Sequence, residues 1–125
     1  MDWIIGVITV VLLVAYIFLR RSGQISAEAA VAHLKHGALL VDVRSPAEYS
    51  TGHLNGAINM PMQQLDSLIG SQVKDKDQVI LLHCQSGARS GMAKNRLHAL
   101  GYTQVHNLGS YERAAHIVDG PYGNS

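Results

Sequence analysis

The sequence has a single cysteine, few aromatic residues and no marked excess of either charge. Because Cys84 is the only cysteine, no disulfide can form within the chain, and we expect a compartment where thiols stay reduced. A formal net charge of +1, with 15% charged residues, leaves no basic stripe and argues against a nucleic-acid partner. At 125 residues, the chain is long enough for one domain with its own core.

Metal-ligand spacings are also missing. The seven histidines are scattered, and neither an HExxH motif nor a second cysteine accompanies them. We therefore predict no metal site and no cofactor.

One long apolar run is present, at the N-terminus. Residues 3–19 carry no charge and as a helix would extend about 26 Å, close to the minimum for crossing a bilayer. A cleaved signal peptide is disfavoured, because Met1 and Asp2 supply no basic stretch and residues 22–24 form no A-x-A cleavage site. The run therefore predicts an uncleaved transmembrane helix.

Charges beside this run predict its orientation. Arg20 and Arg21 follow it directly, and the positive-inside rule places the chain beyond them in the cytoplasm. We expect a single-pass membrane protein, as in a bacterial inner membrane, with its C-terminal domain cytoplasmic. The predicted divisions are a transmembrane helix over residues 3–19, a juxtamembrane linker over 20–24 and a domain over 25–125.

Short apolar runs alternate with helical patterns beyond residue 25. Strands are predicted over residues 39–43, 79–82 and 104–108. Helices are predicted from the cap Ser26 to Gly37, from the capping box at Ser45 to Gly52, and over residues 63–69, 88–100 and 111–118. This alternation predicts an α/β domain with a mainly parallel sheet and helices on both faces. Active loops then belong at the carboxyl ends of the strands.

The loop at Cys84 is the strongest candidate site. It joins the strand over 79–82 to a helix through small residues, an arrangement that presents backbone N–H groups to an anion. Those groups, the helix N-terminus and the cation of Arg89 would all lower the pKa of a thiol. A buried, inert cysteine is the alternative, but polar and small residues rarely follow a core cysteine at a strand end.

Three motifs in order resemble the rhodanese family of sulfurtransferases. They are VDVRSPAEY at residues 41–49, GHLNGAINMP at 52–61 and CQSGARS at 84–90. The resemblance implies a rhodanese-like fold in which Cys84 carries a sulfane sulfur as a persulfide. It also implies that the loop binds substrate through Gln85, Ser86, Gly87, Ala88 and Arg89, and that Asp42, Arg44, Glu48 and His53 organise the loop without transferring protons.

The implied reaction is sulfur transfer from thiosulfate or a persulfide to a nucleophile, either a small thiol or a protein thiol. Many relatives carry arginine after the cysteine where this chain has Gln85, so one positive charge that would attract thiosulfate is missing. A phosphatase is disfavoured, because four residues separate Cys84 from Arg89, whereas cysteine phosphatases have five. A non-enzymatic module that binds a partner or senses redox state at the membrane is the remaining alternative.

Overall fold

The computed structural model describes residues 1–120, apart from the side chains of residues 18–22. The first element is helix α1, Asp2–Ser22. Every residue from 1 to 17 is exposed, although most of these side chains are apolar. Within the described part of the chain, no helix has the apolar length that a membrane crossing requires. The transmembrane helix predicted over residues 3–19 is therefore not found there, and its last two side chains lie outside the described set.

Four parallel strands form the sheet, in the spatial order β2-β1-β3-β4. The parallel sheet predicted from the sequence is confirmed, and the three predicted strands correspond to β1, β3 and β4. Strand β2 is not among the predicted strands, because two residues are too few to show an alternating pattern. The strands are β1 (Leu39–Asp42), β2 (Ile58–Asn59), β3 (Ile80–His83) and β4 (Val105–Gly109).

Helices cover both faces of the sheet, as predicted. Alternate strand residues point to opposite faces, so Leu82 packs with α4 and α5, whereas Leu81 packs with α2 and α6. The two resulting cores are separated by the sheet. The helices are α2 (Ala27–Lys35), α3 (Pro46–Thr51), α4 (Leu65–Gln72, after a 3₁₀ turn at Met62–Gln64), α5 (Ala88–Ala99) and α6 (Tyr111–Asp119).

The helix caps predicted at Ser26 and Ser45 are confirmed. The Ser26 side chain accepts a hydrogen bond from the Ala29 N–H at the start of α2. At α3, Ser45 and Glu48 form the predicted capping box, with each side chain accepting from the other residue's backbone N–H. These caps depend on residues three apart, which is why the sequence alone reveals them.

The end of the predicted linker joins the edge of the sheet. Gln24 forms a parallel bridge with Asn107, and the Ile25 N–H donates to the Asn107 carbonyl at 3.0 Å. Arg113 then donates to the carbonyls of Ile25 and Leu108. The segment after α1 is thereby attached beside β4, next to the loop that follows that strand.

Candidate active site

Cys84 lies directly after β3, in the core between the sheet and α5. Its residue is fully buried, and its backbone N–H donates to the Gly109 carbonyl at 3.2 Å. The loop closes at Gly87, which has a φ of +95° and caps α5. A side chain there would be strained by that φ, and its Cβ would lie 3.4 Å from Gly109 backbone atoms. Glycine thus lets the loop turn around the sulfur.

Hydrogen-bond donors surround the Cys84 sulfur. The Gly87 N–H donates to Sγ at 3.0 Å, the Ser90 N–H at 3.4 Å, and the Ser90 hydroxyl lies 3.5 Å away. Burial opposes ionisation of the thiol. Donation from the Ser90 hydroxyl and from the N–H groups of Ser90, Gly87 and Ser86 outweighs burial, so the pKa of Cys84 lies below its ordinary value. The loop therefore favours a thiolate.

Ser90 and Asn107 were not predicted as site residues. The Ser90 hydroxyl is nearest to Asn107 Oδ1, at 2.7 Å, and Asn107 Oδ1 also accepts the Gly109 N–H at 2.8 Å. One hydroxyl carries one proton, so its donation to Asn107 competes with its donation to Sγ. The only sign in the sequence that Asn107 belongs to the site is that it is a polar residue inside an apolar strand. Ser90 is the last residue of the CQSGARS motif, so the motif itself pointed to it.

Arg89 and Glu48 form a bidentate ion pair. Arg89 donates to the two carboxylate oxygens of Glu48 at 2.7 and 3.0 Å. That pairing, followed by donation from the Ser45 N–H, lowers the pKa of Glu48 to about 2. Arg89 was expected to bind an anionic substrate, but in this structure Glu48 occupies its guanidinium. The pair instead ties the start of α5 to α3 across the site.

Asp42 and Arg44 form a buried pair at the end of β1. Arg44 donates from Nε and from one terminal nitrogen to Asp42, at 2.8 to 3.0 Å, and also donates to the Gly52 carbonyl. Its guanidinium lies 4.6 Å from the centre of the Tyr111 ring and 3.5 Å from Gln85 Oε1. Hydrogen bonding to Asp42 raises the pKa of Arg44 above its ordinary value. Arg44 thereby contacts both the cysteine loop, at Gln85, and the start of α6, at Tyr111.

His83 lies beside this pair and was not singled out in the sequence. It is fully buried, and neither ring nitrogen has a hydrogen-bond partner. Its Nε2 is 3.8 Å from Asp42 Oδ2, and its ring packs edge-on against Tyr111. Burial lowers the pKa of His83, which keeps the imidazole neutral at physiological pH.

The remaining predicted site residues are divided between the loop and its surroundings. Gln85, Ser86 and Ala88 are exposed around the loop. His53, which was expected to support the loop, stacks on Tyr49 at 3.8 Å between ring centres and bonds the Tyr49 carbonyl. Within residues 1–120, no three metal-binding side chains come together.

Comparison with known proteins yields a match to the rhodanese-like domain family over residues 26–115. Thiosulfate sulfurtransferase PspE of Escherichia coli is 39% identical over 75 residues, covering 60% of this chain and 72% of that protein. Thiosulfate:glutathione sulfurtransferase of Saccharomyces cerevisiae is 36% identical over 78 residues, 54% of this chain and 56% of that one. A solved structure described as rhodanese with anions from E. coli superposes with a TM-score of 0.59 at 36% identity, covering 62% and 91% of the two chains.

Proposed function

Because this chain belongs to the rhodanese-like domain family, we propose that it is a sulfurtransferase in which Cys84 carries sulfane sulfur as a persulfide. The observation that carries the proposal is the sulfur's position. Sγ accepts hydrogen bonds from the N–H groups of Gly87 and Ser90 at the start of α5, which stabilises negative charge on sulfur.

The same donors serve both halves of the reaction. In loading, the Cys84 thiolate attacks the sulfane sulfur of the donor, the donor's bond to that sulfur breaks, and the electron pair leaves with sulfite or with a thiolate. In unloading, a nucleophile attacks the outer sulfur of the persulfide and the electron pair returns to Sγ. The departing Cys84 thiolate is then stabilised by Gly87 and Ser90.

A persulfide suits this loop better than thiosulfate as donor. Both arginines beside the loop are engaged by carboxylates, Arg89 by Glu48 and Arg44 by Asp42. Gln85 stands where a further cation would attract the thiosulfate dianion. We therefore propose a persulfide donor and a thiol acceptor.

The test is mass spectrometry of the intact chain after incubation with thiosulfate or, separately, with glutathione persulfide. We expect one added sulfur atom on Cys84, faster loading from the persulfide, and loss of that sulfur when cyanide or a thiol is added. An aryl phosphate serves as a control substrate, and its hydrolysis would favour a phosphatase. If neither donor loads the folded protein, the buried thiol belongs to a binding module instead.

We also propose that α1 holds the domain at the cytoplasmic face of a membrane. Support comes from the exposed apolar side chains along residues 3–17 and from Arg20 and Arg21, which follow the apolar run in the sequence. Gln24 already pairs with the sheet, so the loop would lie close to the bilayer.

Fractionation of cells that express the full chain tests this placement. We expect the protein in the membrane fraction, released by detergent but not by alkaline carbonate, because apolar contacts resist high pH. A variant that lacks residues 1–22 is the control and should be found in the soluble fraction. Full-length protein in the soluble fraction would contradict the proposal.

A further inference from the structure

A cavity of about 400 Å³ lies beside the cysteine loop and has no role in the mechanism above. Its walls come from four parts of the chain, one of which is Asn107 in β4. Gly23 and Gln24 line it on one side, the loop on a second, and the first turns of α5 on a third. Cavities of this size hold small organic molecules.

Only small residues separate this cavity from the reactive sulfur. The shared wall consists of Ser86, Gly87 and Ala88, none of which carries a side chain longer than a hydroxymethyl group. Gly87 belongs to the wall and also places its N–H 3.0 Å from Cys84 Sγ. The wall is therefore one residue thick, and a flexible molecule in the cavity can extend over it toward the Cys84 sulfur.

Three polar side chains of the cavity have no partner elsewhere in the described part of the chain. Lys94 is its one charged residue, and no acidic residue lines it. Among the described residues, the side chains of Lys94, Gln24 and Asn95 form no hydrogen bond or ion pair. Met92, 63% exposed, adds an apolar surface. Lys94 can pair with a carboxylate of a ligand, and the amides of Gln24 and Asn95 can hydrogen-bond its peptide groups. The Met92 side chain can contact its methylene groups.

We propose that this cavity binds the acceptor, a small peptide thiol whose carboxylate pairs with Lys94 and whose amide groups meet Gln24 and Asn95. The inference rests on the proposed sulfur transfer. The acceptor thiolate attacks the outer sulfur of the Cys84 persulfide, the S–S bond breaks, and its electron pair returns to Sγ. The acceptor leaves as a persulfide, with no net oxidation or reduction.

The test measures single-turnover unloading of sulfur-loaded full-length chain by glutathione. We expect Lys94→Gln to raise the half-saturating glutathione concentration by about fivefold, the upper range for an exposed ion pair. Unloading by 2-mercaptoethanol, which lacks a carboxylate, should be unchanged. Glutathione ethyl ester, with its glycyl carboxylate masked, should react alike with both proteins. Lys74→Gln is the matched control, because Lys74 bonds the Gly70 carbonyl at the end of α4 and does not line the cavity.

Equal half-saturation for wild type and Lys94→Gln would overturn the acceptor site while leaving sulfur transfer intact. If Cys84 does not take up sulfur at all, the proposed function fails. The cavity can still be tested by measuring whether it binds a peptide. In that case the probe is unreactive S-methylglutathione, followed by amide NMR shifts of the full chain. Shifts centred on Gly91, Lys94 and Asn95 would support a peptide site, and their absence would overturn it.

Discussion

Replacement of Cys84 by serine is expected to abolish persulfide formation and sulfur transfer while leaving the fold intact. A hydroxyl does not ionise near neutral pH and cannot hold sulfane sulfur in exchangeable form. Loss of a catalytic nucleophile lowers turnover by up to about a millionfold. The measurement combines mass spectrometry of the loaded chain with turnover of a persulfide donor.

Serine is chosen because the groups around Sγ are hydrogen-bond donors, which need an acceptor at this position. The N–H groups of Gly87 and Ser90 point at Sγ, and a serine oxygen can accept from them. Cys84→Ala supplies no acceptor and is expected to cost about 1–3 kcal/mol in the free energy of unfolding. Sulfur transfer by a well-folded Cys84→Ser protein would show that another group carries the sulfur.

Replacement of Asp42 by leucine is expected to have the largest effect on stability. Asp42 is fully buried and Arg44 is 4% exposed, and Asp42 accepts four hydrogen bonds from Arg44. Without the carboxylate, the Arg44 guanidinium is left in the protein interior without the charge that it hydrogen-bonds. Breaking one side of a buried ion pair costs about 3–5 kcal/mol, which urea unfolding of the full chain will measure.

A double variant separates charge from packing. In Asp42→Leu with Arg44→Met, both charges are absent and similar volumes are filled, so most of the lost stability should return. If Asp42→Leu fails to fold but the double variant folds, the unpaired charge of Arg44 is likewise shown to be the cause of the lost stability. Equal unfolding midpoints for Asp42→Leu and wild type would contradict a structural role for the pair.

Much of this fold could be predicted because it depends on neighbours in sequence. Residues close together in the sequence specify the apolar strands, the capping box of Ser45 and Glu48, and the cap at Ser26. Cys84 and its loop of small residues belong to the same class, since a strand, a turn at Gly87 and a helix start are local features. The alternation of strands and helices then predicted a parallel sheet.

Only the tertiary structure decided how the charged residues of the site are used. Glu48 and Arg89 are 41 residues apart, so no local pattern shows that the arginine is held by a carboxylate. Asn107 meets Ser90 because two elements pack together.

The sequence by itself determined the sheet, the caps and the place of Cys84 between a strand and a helix, because local hydrogen bonds and alternating hydrophobicity specify them. The ion pairs, the donors to Sγ and the cavity at Lys94 depended on which faces of distant elements meet. Close packing chooses those contacts only once the whole domain has formed.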